Sequence, residues 1–160
     1  MKIWLPAIAG ESGADVFTQR LCKAITRNGL DAEISWFPKF YEFFPFLLRR
    51  VNPPSGTTII HANSWNAFAF KRKSIPLVVT EQLGILDRTA QPHKSELQFI
   101  YHQAVIRRFV KASFHLASAA TAVSDYTALG LQRSLIHFLR LRGRFCLRDP
   151  SLWDWSARSG

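Results

Sequence analysis

Five short runs of apolar, largely β-branched residues recur along this chain: KIWLPAIA (2–9), DAEISWF (31–37), TTIIHA (57–62), IPLVVTEQ (75–82) and ATAVS (120–124). Helical or turn-forming stretches separate them. Strands this apolar have no wet face, so they must be buried on both sides, and helical crossovers are what bury them that way. The pattern therefore predicts an α/β fold, a Rossmann-like doubly wound parallel sheet with right-handed crossovers.

The connecting segments agree with that frame. GESGADVFTQRLCKAITRNG (10–29) places Ala14, Phe17, Leu21, Ala24 and Ile25 on one helical face and Asp15, Gln19, Lys23 and Arg27 away from it. Ser12 stands at the N-cap position and Asn28-Gly29 is a stop signal. YEFFPFLLRRV (41–51) reads as a short helix interrupted at Pro45, NPPSG (52–56) as a turn and NSWNAFAFKRK (63–73) as another short helix. A loop over 83–95 leads to a long helix over 96–118, and Ser124-Asp125 forms a capping pair for the next one. Residues 1–130 thus read as one domain. After Gly130 the pattern changes: residues 131–160 form a basic, helical or irregular tail rich in Leu and in Arg133, Arg140, Arg142, Arg144, Arg148 and Arg158, with no sixth strand.

Size and charge set the remaining bounds. At 160 residues and 48% hydrophobic content the chain suffices for one well-buried core and is short for two. A formal charge of +10 favours anionic partners (phosphates, nucleic acid or an acidic membrane surface) without choosing among them. Cys22 and Cys146 are far apart and have no second pair, so both are expected as free thiols in a reducing compartment, the cytoplasm. The opening MKIWLPAIAGESGA is read as a first strand rather than a secretory signal, because Pro6 interrupts a short apolar stretch that runs straight into a helix start. No apolar run approaches the roughly 20 residues of a membrane-spanning helix.

In an open parallel sheet, ligands bind beyond the carboxyl ends of the strands. Gly10 and Gly13 precede the first helix, where free N–H groups favour a phosphate; a tight strand-to-helix turn is the alternative reading. His61, followed by Asn63 and Ser64, suits a sugar hydroxyl or a general base; the competing reading is a structural hydrogen bond, the commoner role of a lone histidine. Glu81, Gln82 and Asp87 either line a polar pocket or are solvated. His93, His102, His115 and His137 lack partners at metal-ligand spacing, so neither a metal nor a cofactor is expected. Ser124 lacks the Gly-x-Ser-x-Gly elbow of a hydrolase. In WFPKFYEFFPFLLRR (36–50), seven aromatic rings accompany several cations. Lys39, Phe40, Phe43, Phe44, Arg49 and Arg50 would form a face for an anionic membrane, placing the protein peripherally at the inner membrane surface; the competing reading packs the rings under the sheet. No motif supports nucleic-acid binding.

Taken together, GESGADVFTQRLCKAI, IIHANSWNAFAFKR, PLVVTEQLGILD and ATAVSDYTA resemble, in content and order, the N-terminal domain of family-4 glycosyltransferases, which have the two-domain GT-B architecture. The resemblance covers about residues 1 to 130. It implies that Gly10, Ser12 and Gly13 face a donor diphosphate across a cleft, and that His61, Asn63, Glu81 and Gln82 line the acceptor side. Many relatives carry a histidine in the loop after the fourth strand, near where this chain has Gln82. The family's donor pocket and its glutamate pair with seven intervening residues belong to a C-terminal domain, and no two of the glutamates at 11, 33, 42, 81 and 96 have that spacing. Nucleotide-sugar donor and sugar acceptor are thus expected as partners only of a full-length enzyme. The break after residue 130 reads as a truncation or a shifted frame, although a divergent basic helix has the same composition. Three expectations result: an acceptor-side half of a retaining glycosyltransferase, inactive alone; a binding module that docks on an anionic membrane or a separate catalytic chain; or a small enzyme holding a phosphate on its glycine loop.

Overall fold

A computed structural model of the chain describes residues 1–82 and 105–131. The expected loop over 83–95 with Asp87 and His93, the start of the long helix with His102, and the tail with His137 and Cys146 lie outside the described residues. The strands are β1 (Lys2–Ile8), β2 (Asp31–Phe37), β3 (Thr57–Asn63), β4 (Leu77–Glu81) and β5 (Ala119–Ala122), and every pairing is parallel, in the order β2-β1-β3-β4-β5. The helices are α1 (Gly13–Arg27), α2 (Ala67–Phe70) and α3 (Arg107–Leu116), and residues 125–131 begin another. None of the helices among the described residues is long and apolar enough to cross a membrane.

The strand order decides which helix covers which face. From β1 the chain moves one way to β2, and from β3 it moves the other way to β4 and β5. Right-handed crossovers then put α1 on one face and the connections through α2 and α3 on the other. The α2/α3 face holds the core: Trp4, Ile60, Leu77, Val79 and Val110 are fully buried and pack with Phe70 and Phe114. Trp4 meets Phe70 edge-on at 5.5 Å, and its indole N–H donates to Ser35 Oγ on β2 at 2.8 Å. A large ring with its polar handle satisfied stabilises a core in two ways at once. Ser113 ties the layer together by accepting the Phe68 N–H at 3.0 Å, and Ser118 accepts the Leu77 N–H at 3.2 Å.

The α1 face is looser. Its strands contribute buried Ile3, Leu5 and Ala7, yet no residue of α1 is itself buried. Phe17, Leu21 and Ile25 are half-buried as their spacing predicts, whereas Ala24 is exposed. The helix starts after Ser12 and stops at Asn28 with Gly29 at φ +77°, the left-handed conformation that glycine adopts without strain. Cys22 is a free thiol beside the Ala32 carbonyl, its pKa raised by burial.

Two segments fold more tightly than their spacing predicts. The interrupted helix near Pro45 is a pair of 3₁₀ helices, Lys39–Glu42 and Pro45–Arg50, with Pro45 opening the second. The helix expected over 63–73 is only the single turn of α2, because the Asn63 carboxamide accepts the Trp65 N–H at 3.2 Å and shapes residues 64–66 into a turn.

Candidate functional site

In this strand order the direction of winding reverses between β1 and β3, and a crevice opens at their carboxyl ends. A cavity of about 520 Å³ occupies that place, within the range of small-ligand sites. Leu5 and Ala7 from β1, Phe17 and Leu21 from α1, and Ile106 and Val123 supply an apolar wall. His61, Asn63, Thr80, Gln82 and Asn66 supply hydrogen-bonding groups.

Strand alternation selects these side chains. Residues 59, 61 and 63 of β3 and 78, 80 and 82 along β4 share the α1 face, while Ile60, Ala62, Leu77 and Val79 turn to the core. His61 and Gln82 therefore line the cavity together. Glu81 alternates to the opposite face, where it is buried with the core strands rather than on the cavity wall. Across the α1 face runs a polar row: His61 Nε2 lies 2.5 Å from Thr80 Oγ1, which lies 2.7 Å from Thr121 Oγ1 on β5. Burial lowers the His61 pKa from 6.5 to about 4, so the ring is neutral at physiological pH. With Nε2 engaged by Thr80, the neutral ring leaves Nδ1, a donor or an acceptor according to the tautomer, to meet a hydroxyl.

The glycine loop has its own geometry. Gly10 N–H donates to Asp15 Oδ2 at 3.0 Å and Glu11 N–H donates to the same oxygen at 2.8 Å. Asp15 thus folds back over the loop instead of pointing away, as helical spacing had it. The left-handed conformation falls on Glu11, at φ +52°, and on neither Gly10 nor Gly13. An internal carboxylate fills the cradle formed by residues 10 and 11, the place an anion would take. Ser12 occupies the N-cap position without a side-chain capping bond, and it opens onto the cavity beside Gly13. A Cβ at Gly13 would meet nothing within 4 Å. Among the described residues the wall carries two carboxylates, Asp15 and Glu42, and no lysine or arginine. Such a wall favours a neutral, hydroxylated ligand over a free phosphate.

The structure thus brings Ser12, Gly13, His61, Asn63 and Gln82 to one cavity, with Gly10 just behind it and Glu81 on the other side of the sheet. Asn63 divides its role, since its oxygen also accepts from Ser64 Oγ at 3.3 Å. Sequence reasoning missed two contributors. Thr80 was legible as the residue two before Gln82 on the same strand face. Asn66 carries no such signal; it is 8% exposed, and its Oδ1 has no hydrogen-bond partner.

The aromatic segment divides in two. Phe37 and Tyr41 pack against the core, and Pro45 and Leu48 are buried. Trp36, Phe40, Phe43, Phe44, Phe46 and Leu47 remain between 40% and 58% exposed, with Lys39, Arg49 and Arg50 exposed among them.

Fold and site together define a Rossmann-like α/β domain with a five-stranded parallel sheet and a ligand-sized cavity at the switch point. Comparisons of the chain with protein-family models, with curated proteins and with solved structures find no match.

Proposed function

We propose that residues 1–130 are the acceptor-side domain of a retaining glycosyltransferase of GT-B architecture, which transfers a sugar from a nucleotide sugar to a glycan or lipid-linked acceptor. The observation that carries the reading is the convergence of Ser12, Gly13, His61, Asn63 and Gln82, drawn from three separate loops, on one cavity at the switch point. Neutral His61 with Asn63 and Gln82 can exchange hydrogen bonds with acceptor hydroxyls while the apolar wall covers the sugar's carbon face. Transfer also needs fixed groups for an oxocarbenium-like charge and cations for a leaving diphosphate. Among the described residues the cavity wall offers carboxylates and amides in place of those cations, which supports an acceptor-binding role for this domain.

Two titrations test this. Calorimetry with UDP-glucose and GDP-mannose is expected to give no binding in the micromolar range, and such binding would overturn the assignment of this half to the acceptor. Methyl glycosides, followed by NMR, are expected to shift the side-chain amides of Asn63 and Gln82 in the native protein but not in His61→Ala. If no glycoside produces a shift, the cavity is not a sugar site.

A further inference from the structure

Residues 39–50 keep apolar rings in water although a core lies directly beneath them. The cause is visible in how the two 3₁₀ helices are pinned. Leu48 and Pro45 are buried, Tyr41 leans on Phe37 at 6.1 Å between centroids, and Arg72 donates to the carbonyl of Val51, the C-cap of the second helix. With those positions fixed, the rings between them are directed outward. Phe44 and Phe46 meet edge to face at 6.0 Å, so they form one surface rather than scattered contacts. Phe40, Phe43, Phe44, Phe46 and Leu47 together expose roughly 500 Å² of apolar area, at the upper end of what a monomer presents to water. Arg49 lies 5.6 Å from the centroid of Phe68, which holds its guanidinium in place while it stays exposed.

We infer that this surface docks on an anionic lipid bilayer, with Phe44, Phe46 and Leu47 entering the headgroup–acyl boundary and Lys39, Arg49 and Arg50 meeting lipid phosphates. The inference stands independently of any sugar chemistry. Charge complementarity selects the occupant. A second copy of a chain with net charge +10 would bring like charge to like, whereas an anionic bilayer pairs with the three cations and takes up the rings at once. Single-stranded nucleic acid also meets rings and cations, but stacking on bases leaves the exposed Leu47 without a partner. Glu42 and Pro45 belong to the same two helices and line the cavity, so docking sets the cavity mouth at the level of the lipid headgroups.

The test is flotation of the full chain with vesicles of pure phosphatidylcholine and with vesicles equimolar in phosphatidylcholine and phosphatidylglycerol. The protein is expected to float with the anionic vesicles only. Lys39→Gln with Arg50→Gln should weaken that binding by roughly 30-fold at low salt. Phe44→Ser with Phe46→Ser should weaken it by more than roughly tenfold at any salt. All four side chains are exposed, so both variants should melt with the native protein, which separates loss of binding from loss of fold. Absence of vesicle binding, equal binding by the phenylalanine variant, or displacement of the protein from vesicles by a single-stranded oligonucleotide that loses affinity in the same variant would each overturn the proposal.

Discussion

The two faces of the sheet are built to different standards. On one, Trp4, Ile60, Leu77, Val79 and Val110 leave no accessible surface, and ring contacts and serine hydroxyls lock α2 and α3 in place. On the other, α1 buries none of its residues completely, and the sheet presents a row of imidazole and hydroxyl groups beside a cavity. Apolar burial supplies most of the free energy of folding, and a ligand requires groups that are not already fully paired. In β3 and β4 strand parity separates the two surfaces: Ile60, Ala62, Leu77 and Val79 turn to the core, and His61, Asn63 and Thr80 turn to the cavity.

The widest gap between the faces should appear on truncating an aromatic ring. Trp4→Ala removes a fully buried ring and orphans Ser35 Oγ, and should cost about 3–5 kcal/mol in urea denaturation. Phe17→Ala on the half-buried helix face should cost about 1–2 kcal/mol. Equal losses would mean that the α1 face is as tightly packed as the other.

Acid probes the polar face in particular. The folded-state pKa of His61, about 4, lies below its ordinary value of 6.5, so the unfolded chain takes up the proton first as pH falls. Its contribution is complete above pH 6.5 and is lost progressively toward pH 4, up to roughly 3 kcal/mol. A melting-temperature series in which the native protein declines across that window while His61→Gln stays level would bear this out; parallel declines would place the acid sensitivity elsewhere.

The smallest effects belong to the glycine positions. Gly13→Ala meets open space at the start of α1 and should stabilise by about 0.4–1 kcal/mol, whereas Gly29→Ala, at φ +77°, should destabilise by about 1 kcal/mol. A loss at Gly13 would show that the loop needs more freedom than its geometry requires.

Most of the frame was readable because buried strands declare themselves. DAEISWF is β2 residue for residue, and the other four strands fall within two residues of their apolar runs. His61 and Gln82 were readable as loop-end polar residues, since strand parity carries them to one face. Harder to read were events that depend on backbone shape. Helical periodicity points Asp15 outward, but the left-handed turn at Glu11 swings two N–H groups within its reach. The aromatic segment was equally ambiguous: Tyr41 and Phe40 are neighbours of similar size in sequence, and only the register of the first 3₁₀ helix decides which of them packs on the core.

The hydroxyl of Thr80 has a single hydrogen and two neighbours, His61 Nε2 and Thr121 Oγ1. If Nε2 carries the imidazole proton, Thr80 accepts it and donates onward to Thr121; if Nε2 is bare, Thr80 donates to it and accepts from Thr121. The row is therefore a wire with two polarities, reversed as a unit. A neutral ring has one proton to place, so a cavity-bound group that donates to Nδ1 commits Nε2–H and thereby sets the direction of a hydroxyl two strands away. A donor bound at Nδ1 would be registered in the direction of the Thr121 hydroxyl on β5 without any strand having to move.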